Sequence, residues 1–372
     1  MKRTIGITGS KGFIGTHLFN TLSLYPEKYA VIAIHQTAWN QHDALFDLVN
    51  SCDVIFHFAG VNRHADQEFV YTENVRMAEE LIQILQKVTH PIQVIFSSSL
   101  QEQTISPYGT AKKKARLLFE QWALASGNSF IGCIIPNVFG PFGKPHYNSF
   151  VATFCHQLNH NETPTIQVDA SVPLLYVGDL VAAFQQLLEN TEGKPYLEIP
   201  PISNKKVSEI LQQLQYYTTE YLEKGIIPQL ETKFDIQLFN TFRSYLPYET
   251  VFPKHYIEHS DNRGAFVELV RLGMGGQVSF STTLTGITRG NHFHTRKIER
   301  FSVIKGKAKM ELKKYGTDEA HTFYLDGAQP AYIDIPIWYY HNITNIGEDV
   351  LYTIFWISEQ FNPEDADTYF EK

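Results

Sequence analysis

The stretch "GITGSKGFIG", residues 6–15, sets Gly9, Gly12 and Gly15 behind a short apolar run and at the head of a helical pattern. Glycine permits a tight turn, lets backbone approach a diphosphate, and lets a helix pack closely on a strand. A helix beginning here turns unsatisfied N–H groups toward that diphosphate, so Gly9, Lys11, Gly12, Phe13, Ile14 and Gly15 form a candidate phosphate cradle. Three glycines in a turn are a weak signal alone. The strand before them and the helix after them give them weight.

Outward from this loop, "RTIGITG", "AVIAIH", "DVIFHFAG", "QVIFSSS" and "FIGCIIPN" are near-continuous apolar runs bounded by turn residues, the pattern of strands buried on both faces. Between them, "NVRMAEELIQILQKV" and "AKKKARLLFEQWALAS" carry apolar residues three and four apart, the period of a helix. This alternation predicts right-handed βαβ units and an α/β domain with a Rossmann-type, doubly wound parallel sheet. After "SNKKVSEILQQLQYYTTEYLEKG", residues 203–225, the helical signal fades. From about residue 250 glycines punctuate short runs such as "QVSFSTTL", "RFSVIKG", "AYIDIP" and "VLYTIFWIS". Those runs predict a small all-β unit, an antiparallel barrel or sandwich. Pro247 and Pro253 interrupt both patterns, which places the boundary between domains 1–248 and 249–372.

Two further groupings carry chemistry. In "YGTAK", Tyr108 and Lys112 stand four apart at a helix start, hence on one face. A lysine cation there favours the phenolate and lowers the tyrosine pKa, and such a phenol can protonate a carbonyl oxygen as hydride arrives at carbon. Alone the pair is usually a solvated helix face. Here it follows Ser97, Ser98 and Ser99 at a strand end, where ligands of such sheets bind. The second grouping is "GITRGNHFHTRKIERFSVIKG", residues 286–306. His292 and His294 share a strand face, Glu299 lies on the returning strand, and His341 is offered by a later one. Three imidazoles and a carboxylate can bind zinc or a similar divalent metal, although a bare His-x-His is most often a polar strand face.

The N-terminal motifs resemble the extended short-chain dehydrogenase/reductase family. The resemblance covers the glycine loop, "HFAGVNR" (57–63), the serine–tyrosine–lysine set, "NVFGP" (137–141) and "YVGDL" (176–180). It implies Ser99, Tyr108 and Lys112 as catalytic residues, Ala59 and Gly60 beside the cofactor, and Asp43 near its adenine. The segment between serines and tyrosine is short, which leaves open which of Ser97 to Ser99 assists, and Ile134 replaces a common arginine. "IHQTAWN" ends the second strand without the carboxylate that would hold a free ribose 2′-hydroxyl, and Lys11 sits in the loop, so NADPH is expected over NADH.

The spacing from Gly286 through His292, His294 and Glu299 to Gly306, followed by Pro336, His341 and Asn345, resembles both motifs of the cupin family. It implies a C-terminal cupin β-barrel holding a divalent metal, zinc by expectation, on His292, His294, Glu299 and His341. Trp338 replaces a usual glycine, which is expected to narrow the barrel mouth and removes no ligand. Strings outside these motifs, from "YNSFVATFC" to the terminal "FNPEDADTYF", resemble bifunctional capsular polysaccharide enzymes that join such a reductase to such a cupin. That resemblance implies a UDP-linked 4-keto sugar substrate, epimerised at C3 and then reduced at C4 by NADPH, and a homodimer. Tyr339, Tyr340 and His321 are the candidates for the C3 base. The rival readings are a single-activity reductase with a structural cupin and a non-enzymatic NADPH sensor.

Composition sets the outer bounds. The 372 residues exceed one ordinary core, and 43% apolar with 19% charged residues is globular composition. A net charge of −8 without long basic runs argues against a nucleic-acid partner. Cys52, Cys133 and Cys155 stand singly among apolar residues, as in a reducing compartment. The first residues carry no secretory pattern and no apolar run approaches the ~20 residues of a membrane helix, so a cytoplasmic protein without membrane partners is expected.

Overall fold

A parallel sheet of six strands runs in the order Tyr29–Ile34, Arg3–Thr8, Val54–His57, Gln93–Ser99, Ser129–Ile135, Tyr196–Glu198. The structure is a computed structural model and describes residues 2–189, 195–261, 264–267 and 269–371. Both sheet faces are buried, as the apolar runs require. Ile55, Val94 and Phe96 pack with Leu81, Phe119 and Trp122 on one side. Val54, Phe56 and Ile95 pack with Leu18, Leu22 and Phe184 on the other. After the first strand the chain goes to one side for the second and to the other for the third, so strand order reverses between Thr8 and His57. Crevices at such reversals, outside the carboxyl ends of the strands, are where doubly wound sheets bind ligands.

The helices around the sheet start where the side chains can cap them. Asp66 accepts from Glu68 N at 2.9 Å ahead of helix Gln67–Leu85. Ser106 accepts from Gly109 N at 3.0 Å ahead of helix Pro107–Ser126, with proline in the first turn, and Gly127 closes that helix at φ 72°. Helix Phe13–Ser23 differs: its N-cap is Gly12, with no capping side chain and no acidic residue in the first turn. Its leading N–H groups therefore remain for a ligand.

The C-terminal strands form two five-stranded antiparallel sheets. One runs Lys254–His255, Ala331–Ile335, Glu299–Lys305, Leu351–Ile357, Gln277–Thr283. The other runs Ala320–Asp326, Lys307–Lys314, Tyr339–Asn345, Thr288–Phe293, Tyr369–Phe370. Period-two burial along Lys307–Lys314 turns Ala308, Met310 and Leu312 inward, and along Tyr339–Asn345 it turns His341 and Ile343 inward.

The chain divides into two compact units, Met1–Phe150 with Ala170–Lys206, and Val151–Asp169 with Val207–Lys372. Helices Val207–Tyr217 and Lys233–Arg243 thus share a unit with the C-terminal strands. The second carries a complete capping box, Thr232 with Asp235, although the helical pattern of the sequence weakens there. Within this unit, Arg300 and Asp334 lie opposite each other on the sheet face turned away from Glu299. Their side chains pair at 2.7 and 2.9 Å, and Tyr221 donates to Asp334 Oδ2 at 2.7 Å. Arg300 also donates to Gly225 O at 3.0 Å, and Arg243 to Ile335 O at 2.8 Å. No helix among the described residues is long and apolar enough to cross a membrane.

Candidate functional sites

In the first unit the glycine loop is held against the turn after the third strand. Gly9 has φ 67°, and a Cβ there would fall 2.7 Å from Ala59 N. A Cβ on Gly15 would fall 2.2 Å from Gly9 O, so the loop closes only with glycine at both places. Thr8 Oγ1 ties the two segments: it bonds His57 Nδ1 at 2.8 Å and accepts from Phe58 N and Ala59 N, both at 3.1 Å. Lys11 is exposed, Phe13 and Ile14 are half-buried, and Asp43 is exposed in the first turn of helix His42–Asn50. A cradle that backbone fills wherever side chains would intrude, before an uncapped helix, fits a dinucleotide diphosphate.

Lys112 lies beside Gly60 in the turn after the third strand, only 3% exposed. Its ammonium donates to Ser97 O at 2.9 Å, sits 4.7 Å from the Phe96 ring centroid, and is 3.5 Å from where a Gly60 Cβ would stand. Among the described residues it has no carboxylate partner at ion-pair distance. Burial lowers its pKa to about 8, against a small opposing effect of Glu102. Burial and the Lys112 charge together bring His57 down to about 3, so that imidazole is neutral.

Tyr108 is half-buried with its ring centroid 5.8 Å from the Lys112 ammonium. The expected lowering of its pKa is not found. Burial raises it, with a further push from Tyr147, so the phenol keeps its proton. The serines separate by their bonds. Ser97 Oγ donates to His57 O at 3.4 Å, and Ser98 donates to Glu102, itself held by Arg116 at 3.0 Å. Ser99 Oγ accepts from Gln101 N at 3.2 Å, and its own hydrogen is committed to no described group.

In the second unit His292, His294, Glu299 and His341 each offer a ligand atom, and these atoms all lie within 4.8 Å of one another. His292 and His341 are cross-strand partners. Glu299 opens its strand facing inward, with His294 Nε2 and His341 Nε2 each 3.2 Å from its Oε2. Those three atoms are buried, yet none has a hydrogen bond of good geometry among the described residues. Buried nitrogens and a carboxylate oxygen converging without well-formed hydrogen bonds are a setting that suits a cation, and three nitrogens with one carboxylate suit a divalent ion. Burial and the neighbouring imidazoles lower His292 to about 4, leaving it neutral for ligation at pH 7. Burial works against the Glu299 charge, but His294 and His341 outweigh it and hold its pKa well below the usual carboxylate range.

A cavity of about 380 Å³ opens on this cluster, walled by Phe301, Ile343 and Phe355, with Arg289, Lys297 and Thr368 as polar lining. The three candidate bases are not among its lining residues. Tyr339 donates to Glu319, His321 lies 3.2 Å from Glu249, and Tyr340 packs on Phe293 at 4.8 Å. Trp338 does not line it either. At φ 64°, where glycine is usual, it stacks on Phe293 at 5.4 Å. Two further residues belong to this region: Lys297, which is 3% exposed and donates to Ala366 O at 2.7 Å, and Asp367, which bonds the loop after His294. No local periodicity marks either one, because their partners lie about seventy residues away.

Comparison with known proteins matches both halves. The NAD dependent epimerase/dehydratase family profile covers residues 5–199, and the polysaccharide biosynthesis C-terminal domain covers 259–369. The chain is 32% identical to a UDP-2-acetamido-2,6-beta-L-arabino-hexul-4-ose reductase of Pseudomonas aeruginosa, over 98% of this chain and 97% of that protein. The crystal structure of the capsular polysaccharide assembling protein CapF from Staphylococcus aureus superposes with a TM-score of 0.64 at 31% identity, covering 99% of each chain. A spore coat polysaccharide biosynthesis protein, SpsL of Bacillus subtilis, is 29% identical over 31% of this chain and 82% of its own.

Proposed function

Because the chain belongs to the NAD dependent epimerase/dehydratase family, we propose that it is a bifunctional nucleotide-sugar enzyme acting on a UDP-linked 4-keto-6-deoxy-2-acetamido-hexose. The C-terminal domain, residues 249–372, inverts C3, and the N-terminal domain, residues 1–248, then reduces C4. The product is UDP-2-acetamido-2,6-dideoxy-L-talose, on the route to UDP-N-acetyl-L-fucosamine for capsule or O-antigen. The reading includes a homodimer in the cytoplasm.

The cavity beside the buried cluster carries the proposal. A purely structural metal site is closed by its protein ligands, whereas this one keeps about 380 Å³ of space next to its donor atoms. The C3 hydrogen is α to the C4 ketone. Its removal as a proton leaves an enolate, and return of a proton to the opposite face inverts the carbon. A divalent ion on His292, His294, Glu299 and His341, zinc in this reading, supplies positive charge for the developing oxyanion. In the reductase, NADPH supplies the hydride for C4. Tyr108, protonated in the ligand-free protein, donates to the C4 oxygen, Ser99 offers that oxygen its hydroxyl hydrogen, and Lys112 holds a cofactor ribose.

The test is proton exchange on the UDP-4-keto sugar in D2O without NADPH. Deuterium is expected at C3 with the wild-type protein and not with a folded His292→Ala variant. No exchange, with reduction intact, would leave a single-activity reductase with a structural C-terminal domain. The cofactor preference has its own test. Lys11→Ala is expected to raise KM for NADPH about tenfold, ~1.4 kcal/mol, more than it raises KM for NADH. An equal loss for both would remove Lys11 from recognition of the 2′-phosphate.

A further inference from the structure

The C-terminal string "FNPEDADTYF", residues 361–370, takes no part in either motif, yet with its flanking residues it pairs with or hydrogen-bonds each residue from Asn291 to Lys297. Glu371 N donates to Asn291 O at 3.0 Å. Phe370 and Tyr369 pair with His292 and Phe293 as an added strand, and the Phe370 ring stands edge-on to His292 at 5.7 Å. Asp367 O bonds His294 Nδ1. The Asp367 carboxylate, 5% exposed, accepts from Thr295 N at 3.0 Å, Thr295 Oγ1 at 2.6 Å, Arg296 N at 3.0 Å and Lys297 N at 3.1 Å. Ala366 O takes the Lys297 ammonium, while Arg296 pairs with Asp365 at 2.8 Å. The segment that presents His292 and His294 is therefore clasped along its length by the chain terminus.

We propose that residues 365–371 are part of the metal centre, with Asp367 as its positioning residue, an inference that rests on the metal reading above. A carbonyl acceptor at Nδ1 fixes His294 as the Nδ1–H tautomer and leaves Nε2 for the ion. The carboxylate satisfies three successive backbone N–H groups of the turn between His294 and Glu299, which sets the separation of those two ligands. Asp367 holds φ 41°, a left-handed conformation uncommon outside glycine, and its bonds to the turn hold it there. Ion and terminus are then linked reciprocally: each binds more firmly in the presence of the other.

Two measurements on the full chain test this. In competition with a colorimetric chelator, Asp367→Ala is expected to bind zinc about 10–100-fold more weakly than wild type. Glu364→Gln, a change at an exposed residue just outside that segment, serves as the control and keeps its affinity. On the wild-type protein, hydrogen exchange of residues 365–371 is expected to speed up when zinc is removed. Unchanged zinc affinity in a folded Asp367→Ala protein overturns the inference, as does exchange at 365–371 that ignores zinc. A wild-type protein that takes up no divalent ion overturns the metal reading itself.

Discussion

A Tyr108→Phe protein is expected to reduce the UDP-4-keto sugar with NADPH about 10²–10⁴-fold more slowly than wild type, with the Kd for NADPH little changed. The substitution removes one oxygen and keeps the ring, so the ring stays beside Lys112. Burial holds the phenol protonated, and a carbonyl accepting hydride must take a proton from some acid nearby. C3 exchange in the same variant should persist, because the cluster of His292, His294, Glu299 and His341 is untouched. Full turnover in Tyr108→Phe would remove the phenol from the chemistry. The lysine predicts the pH dependence. Its pKa is lowered to about 8, so the ammonium is present below that pH and lost as pH rises through it. The kcat/KM for reduction should therefore fall on the alkaline side of about pH 8.

Asp334→Ala is expected to destabilise the C-terminal unit by about 3–5 kcal/mol, read as a lower denaturant midpoint of the transition reported by that unit. The pair it breaks is buried, with side-chain exposures of 1% for Arg300 and 0% for Asp334. Its loss strands the Arg300 guanidinium over the Tyr332 ring, 3.8 Å from the centroid, and takes the acceptor from Tyr221. The Arg300→Met, Asp334→Leu double variant should recover much of the loss, because it leaves no buried charge uncompensated. If the single variant unfolds at the wild-type midpoint, the pair is not what holds helices 207–243 to the strands. Burial raises the Asp334 pKa, and Arg300, Arg243 and Tyr221 outweigh it, so the net shift is downward. A depressed carboxylate contributes stability above its unfolded pKa of ~3.9, and that contribution is lost as pH falls through the folded value.

Most of the architecture was legible from the chain because it is written in local periods. Apolar runs bounded by turns gave the parallel strands, and the glycines at 9, 12 and 15 gave the bend over which they turn. Motif spacing brought His292 and His294 together, although the strand ends at Phe293 and His294 lies in the turn beyond it, and the later motif supplied His341, the cross-strand partner of His292. The electrostatics were less legible. The Tyr108–Lys112 spacing gave their shared face, but the direction of the tyrosine shift depends on burial, which spacing does not encode. The same holds for Tyr339, Tyr340 and His321: they lie near a ligand in sequence, but none of them lines the cavity.

By itself, then, the sequence determined the two kinds of sheet, which follow from side-chain alternation over a few residues, and marked the glycine turn and the four His and Glu candidates by motif spacing. Only the tertiary structure decided that helices 207–243 share a compact unit with the C-terminal strands, through a buried arginine–aspartate pair. Only it decided that Asp367 clasps the turn between His294 and Glu299 from about seventy residues away. Local periodicity says which face of a strand must be covered. Which distant segment covers it is settled by packing and by where buried charges and backbone N–H groups find partners.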